Sequence, residues 1–409
     1  AKTLTLPRDD ARWVDFRLAD TLWRSESATP SADTTKMEAA SEVLNAFISE
    51  TKRVEDRDRV WAEANESLGD FYWIRRDYRN SGAAWPFYRN ALDWWAGTAD
   101  IEMARSRYLR MVWRMSEPPN AQPYERYGYY GGYLEIDVLE NALRIAQTDN
   151  DRARAHFLIA VTSSMSGDWN QAERAPESFE TAIAPGKSVR WYDDALFRYA
   201  EFLANQGRAI YGEDGSWRRV RDLNKALELY QRIVTEFAVG ESQYVDNAKA
   251  AIANITKPTV SVAVPNVFLP GSEIAYTIAW RNVTRIDVAI YRIDLTKDPV
   301  FATDQNDAST WADRFDPAGR KPVATAVRET GDTGEHEPGS AEVRVVERLD
   351  IGAYIIEARS DTTVDRDLLL ITDTALVVKT SGRKALVYAC NAIDGSPIEP
   401  GSRQDGGSP

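Results

Sequence analysis

The feature that most limits what this chain can fold into is a change of period at Pro258. Before it, apolar residues recur three and four apart, as in RWVDFRLADTLW, TKMEAASEVLNAFI and ARSRYLRMVWRM, which places them on one face of a helix. After it, TVSVAV, EIAYTIAW, RIDVAIYRID, AEVRVVERLD, AYIIEARSD and RDLLLITD read as short strands, the first four alternating apolar with polar residues in the period of a half-buried strand. Pro258 cannot continue a helix and biases Lys257 toward extended backbone, so the break is local and sharp. A single layer cannot satisfy both periods. The expected fold class is therefore multidomain, α then β: a helical-repeat array over 1–257 and an antiparallel β-sandwich over 258–370.

Residues 10–256 predict ten to twelve helices, with starts marked by Ser, Thr or Asp and stops by Pro and Gly. Between Asp298 and Ser340 a polar interval rich in Asp, Thr, Gly and Pro predicts a long loop with one short helix around STWADRF. Residues 376–391 alternate well enough for two strands. Within the helical part, AEANESLGDFYWIRRDYRNSGAAWPFYRNAL sets Ala64, Leu68, Gly69, Tyr72, Ala83, Tyr88 and Ala91 near the positions where tetratricopeptide repeats carry small and aromatic residues. ARAHFLIAVTSSMSGDWNQAERAPESFETAI offers Ala155, Gly167, Ala172, Phe179 and Ala182 in the same way, and KALELYQRIVTEFAVGESQYVDNAKAAI resembles a final repeat.

Composition excludes several functions. A net charge of −13 repels nucleic acid and anionic lipid. No stretch approaches the roughly 18 apolar residues of a membrane span, and AKTLTLPRDDARW lacks the pattern of a signal peptide. The single cysteine, Cys390 in VYACNAID, reads as a strand residue packing like a small apolar group. His156 and His336, the two histidines, lie far apart in unlike segments, which argues against a metal site and against Ser/His/Asp catalysis. The 63 Asp and Glu make chance pairs unavoidable, so their expected place is a solvated surface. The most unusual local feature is YGYYGGY. There Tyr124, Tyr127, Tyr129, Tyr130 and Tyr133 crowd a Pro- and Gly-containing connection, and they are the candidate partner-binding residues, with packing over adjacent helices as the alternative. Trp85, Tyr88 and Trp95 share a helical face and read as inter-helix packing.

The strand ending FLPGSEI, the following WRNV, IYRIDL, GAYIIEA and ITDTALVVKTSGRKALVYACNAIDGSPI together resemble the N-terminal region of large bacterial α2-macroglobulin-like proteins. In that family a helical segment precedes a string of fibronectin-like macroglobulin domains, and NAIDGSPI is similar to the strand and turn that open the next domain, so the resemblance implies that 371–409 start a second, incomplete macroglobulin-like domain. The resemblance implies a non-catalytic scaffold of an exported protein, periplasmic or at the cell surface, with a target protease or another protein as partner and with no cofactor. The family's protease-trapping members use a Cys-Gly-Glu-Gln thioester, and Ala389-Cys390-Asn391 is not that motif. The alternative expectation is a carbohydrate-binding surface protein built on an aromatic-rich helical scaffold.

Overall fold

The computed structural model describes residues 7–29, 33–75, 80–98, 101–116, 134–265, 267–299, 311–361, 363–381 and 384–398. Contacts divide the chain into two compact units, Ala1–Lys249 and Ala250–Pro409.

The first unit is built of α1 (Arg8–Ala28), α2 (Thr34–Glu50), α3 (Arg59–Trp73), α4 (Ser81–Gly97), α5 (Ile101–Ser116), α6 (Ile136–Ile145), α7 (Asp149–Ser164), α8 (Trp169–Ala172), α9 (Ala175–Ile183), α10 (Tyr192–Glu201) and α11 (Leu223–Glu236). Its last helix, α12 (Val245–Thr256), runs across the boundary into the second unit. The helices begin where side chains can satisfy orphan amides: Asp33, Asp58, Asn80, Thr148 and Asp222 each accept from a backbone N–H of the first turn. Most helices pack on the next in sequence, and α1 also meets α3. The buried residues keep the helical period, with Phe16, Ala19 and Trp23 of α1 against Met37, Ala40, Leu44 and Phe47 of α2 and Ala64, Leu68 and Phe71 of α3. The larger of these side chains, such as Phe16, Leu44 and Leu68, each contribute about 1.5–3 kcal/mol by leaving water.

In the first repeat-like stretch Gly69 and Tyr88 come into contact. A Cβ on Gly69 of α3 would lie 2.7 Å from the ring of Tyr88 on α4, so glycine is what lets the two helices close. In the second stretch Ala155, Ala172, Phe179 and Ala182 are buried, whereas Gly167 sits exposed in the turn before α8 and packs against nothing. The helical reading of this region also needs a correction. Residues 208–220 form a β-hairpin, β1 (Arg208–Tyr211) and β2 (Trp217–Val220), turned through Gly212 and Gly215. Gly207 at φ +79° ends the preceding helical turn where a Cβ would strike the Val220 carbonyl at 2.5 Å.

The second unit carries β3 (Thr259–Ala263), β4 (Val267–Phe268), β5 (Ala275–Arg281), β6 (Arg285–Ile293), β7 (Ala324–Glu329), β8 (Gly339–Arg344), β9 (Gly352–Arg359) and β10 (Val364–Ile371), followed by β11 (Thr374–Ser381) and β12 (Lys384–Asn391). Three strands pair in the order β3-β5-β8 and five in the order β4-β10-β9-β6-β7, antiparallel except for β4 with β10. One core takes inward residues from both sheets, among them Val262, Tyr276 and Ile278 from the first and Ile290, Ile356 and Leu369 from the second. The other face of the five-stranded sheet is not left wet, because a 3₁₀ turn at Trp311–Arg314 lays Ala312 and Phe315 against Ile293 and Ile355. That turn is where STWADRF predicts a short helix, but the expected long loop also contains β7 and the start of β8. β7 is an edge strand with only Ala324 buried, so its alternation is weak.

Two features close the sheets. β3 is an edge, and the amides of Val262 within it and of Val264 just past its end donate to Asp365 Oδ2 and Asp367 Oδ2 of β10, each at 2.8 Å. Aspartates two apart on one strand thus cap the exposed ladder of another, which blunts an edge that would otherwise pair with a foreign strand. At the opposite edge Gly339 of β8 faces Trp280 of β5, whose indole lies 2.5 Å from where a Cβ would stand. Asn282, at φ +58° in the β5–β6 turn, donates through Nδ2 to the carbonyls of Ile255 and Lys257 at the end of α12.

Candidate interaction surface

The described carboxylates fall into two kinds. Most are solvated, as the composition leads one to expect, but Glu63, Glu66 and Asp70 on α3 are buried, at 2%, 3% and 1% exposure, and correct that expectation. Their spacing of three and four puts them on neighbouring positions of one helix, and each is matched by guanidinium groups. Arg59 and Arg107 reach Glu63 at 2.7 and 3.0 Å, and Arg107 and Arg110 reach Glu66 at 2.9 and 2.6 Å. Asp70 accepts from Arg24 at 2.6 Å, from Tyr88 Oη at 2.6 Å and from Arg114. The chain of bonds continues from Arg24 to Asp20, which accepts from Ser67, which in turn accepts from the Trp23 indole.

Burial pushes the Tyr88 phenol well above its ordinary value, and Asp70 beside it adds to the shift, so Tyr88 stays a donor throughout the physiological range. Both oxygens of Glu66 and of Asp70 are already occupied. The cluster can fix the registry of α1, α3, α4 and α5, since a buried charge left alone is costly. It offers no free base to a substrate.

The two histidines lie apart. His156, on α7, is half-buried, and burial lowers its pKa while Glu177 opposes the shift. His336, at φ +61°, places Nδ1 2.7 Å from Asn282 Oδ1. Because Asn282 uses its amide nitrogen on two carbonyls, the histidine Nδ1–H is the donor there. Among the described residues no group of three or more His, Cys, Asp or Glu could hold a metal, and no helix is long and apolar enough to cross a membrane. The candidate tyrosines Tyr124, Tyr127, Tyr129, Tyr130 and Tyr133 lie outside the described residues. Trp85 is half-buried, and Tyr88 and Trp95 are buried, as the shared face predicts.

The surface that stands out was only partly visible in the sequence. β11 and β12 pair with each other over eight residues, and among the described residues with no other strand. Their register puts Leu376, Val378 and Val387 on one face and Val377, Leu386 and Tyr388 on the other, and all six are exposed, Leu376 and Leu386 at 65%. Cys390 is the exception, buried near the base of the hairpin. At that base an apolar cleft of 670 Å³ is lined by Val267, Leu295, Ile351, Leu370 and Leu376, among others. Two open ladder edges beside apolar side chains on both faces can accept another strand or a covering layer. The sequence signal was the alternation over 376–391. The cleft also needs Leu295 and Ile351, which come from loops and carry no pattern of their own.

No family model and no curated protein matches the chain. Among solved structures it is similar to native alpha-2-macroglobulin from Escherichia coli spanning domains MG0-NIE-MG1, at 13% identity and a TM-score of 0.26. That similarity covers 35% of this chain and 48% of that one, less than half of its length.

Proposed function

We propose that the chain is a non-catalytic scaffold from the N-terminal part of an exported, macroglobulin-like protein that takes part in protease trapping. On this reading the helices form a tetratricopeptide-like array, the two sheets of the second unit form a macroglobulin-type β-sandwich, and 371–409 open a further module of the same kind. The observation that carries it is the hairpin β11–β12, which follows β10 after two residues, pairs with no other described strand and exposes apolar side chains on both faces. Two strands alone bury too little to be stable, so this hairpin is suited to being completed by further strands. The sequence FLPGSEI through NAIDGSPI supports the family, and the saturated carboxylates of α3 support a structural rather than a chemical task.

The test is to mix the natural full-length gene product with trypsin. A trap leaves the enclosed enzyme active on a small peptide substrate but shields it from a large protein substrate. Equal loss of both activities, or of neither, contradicts the proposal.

One observation favours a second reading, carbohydrate capture. Trp169 and Trp217 stack at 6.0 Å with Tyr211 edge-on to Trp217 at 5.2 Å, and Trp169 and Tyr211 are exposed. Such a platform can stack on a sugar ring. Calorimetric titration with chito- and cello-oligosaccharides, repeated on Trp169→Ala, decides it: binding lost in the variant supports capture, and no heat from either series removes it.

A further inference from the structure

The helical unit contains a cavity of 240 Å³ where the end of α4 meets α5 and α6. Its apolar wall is Trp95, Ile101, Tyr108 and Ile145, and its polar groups include Arg105 and Arg144. The neighbouring arginines of α4 and α5 have carboxylates: Arg89 holds Asp93, Glu135 and Asp137, Arg107 and Arg110 hold Glu66, and Arg114 holds Asp70. Among the described residues Arg105 has no ion pair, and Arg144 reaches only the amide oxygen of Asn141, at 3.1 Å. No carboxylate is among the described residues that line the cavity. Arg105 Nε and the indole Nε1 of Trp95, a side chain only 2% exposed, are buried donors without an acceptor. Two guanidinium groups at one cavity thus lack a carboxylate among the described residues, and Arg105 Nε and the Trp95 indole leave buried donors there unmatched.

From this geometry we propose that the cavity binds a carboxylate carried on an apolar body. The carboxylate lies between Arg105 and Arg144, where planar guanidinium groups suit it, and the apolar body rests on Trp95 and Tyr108. The volume is below the roughly 300–1,000 Å³ of sites for drug-sized ligands, so it fits one ring or one branched side chain. A free aryl or alkyl acid and the C-terminal residue of a peptide present the same chemistry. Both are therefore tested.

The probes are 3-phenylpropionate and the peptide Ala-Ala-Phe, each beside its neutral amide, titrated calorimetrically into the whole chain. Binding of 3-phenylpropionate but not of 3-phenylpropionamide supports the site and identifies a small acid as sufficient. Binding of the peptide acid alone supports the site and identifies a peptide C-terminus as the source. In Arg105→Gln/Arg144→Gln the affinity falls by about tenfold or more, the loss expected for a hydrogen bond to a charged group. The comparison of acid with amide needs no variant, so it stands even where the double substitution disturbs the fold. Equal binding of acid and amide, unchanged affinity in the double variant, or no binding of either acid overturns the proposal.

Discussion

Replacing Gly69 with alanine tests the closest helix contact in the first unit. The new methyl carbon would stand 2.7 Å from Tyr88 Cδ1 and Cε1 and 2.8 Å from Cγ, the root of the ring, so the ring cannot swing aside cheaply. Overpacking of this kind costs about 1–3 kcal/mol. A displaced Tyr88 also loses its 2.6 Å bond to buried Asp70, worth about 1.5–3 kcal/mol for a charged acceptor. Against this, alanine in a helix interior gains about 1 kcal/mol over glycine. The net loss is about 1.5–5 kcal/mol, or a fall of about 3–20 °C in the melting temperature of the helical unit. Gly82→Ala is the control, because its methyl would meet only Asn80 Oδ1, at 3.6 Å, and should leave stability unchanged or slightly raised. Urea unfolding followed by far-ultraviolet circular dichroism reads both variants. If Gly69→Ala is as stable as Gly82→Ala, the argument from close approach is wrong.

Asp365→Ala/Asp367→Ala uncovers the Val262 and Val264 amides and should cost the second unit about 2–5 kcal/mol, with increased self-association seen by light scattering as the β3 edge opens. Unchanged melting and an unchanged particle size would show that water caps the edge equally well. His156 has a folded pKa below its ordinary 6.5, so under mildly acidic conditions the unfolded chain holds more protons and stability falls as pH drops through that value. His156→Gln should flatten the decline in urea midpoint between about pH 7 and pH 5; parallel declines would contradict the assignment.

Period carried much of the architecture. The Phe16, Ala19 and Trp23 stripe of α1 and the Tyr276, Ile278 and Trp280 alternation of β5 were readable because each face meets one core. Where the environment is not one-sided, the signal failed. β7 buries only Ala324 and so resembles a polar loop, and β1 and β2 are four residues each within a helical context. The capping task of the β10 aspartates left no local signal, because it depends on a strand 103 residues earlier in sequence. Glu63, Glu66 and Asp70 could not be separated from surface carboxylates, since their arginines come from α1 and α5 as well as from α3 itself. The apolar alternation of 376–391 was legible, and its exposure on both faces was not.

The central proposal is that the β-sandwich of the second unit closes with β10 and that β11–β12 belongs to a further module. Amide hydrogen exchange followed by mass spectrometry tests it directly, by comparing 374–391 with β5 and β6. The account predicts that the hairpin amides exchange orders of magnitude faster than those of 275–293, and that truncation after Thr372 leaves the melting temperature of the rest unchanged. Hairpin amides as slow as the β5 and β6 amides, with a melting temperature that falls on truncation, would place β11 and β12 inside the second unit's own core and contradict the account.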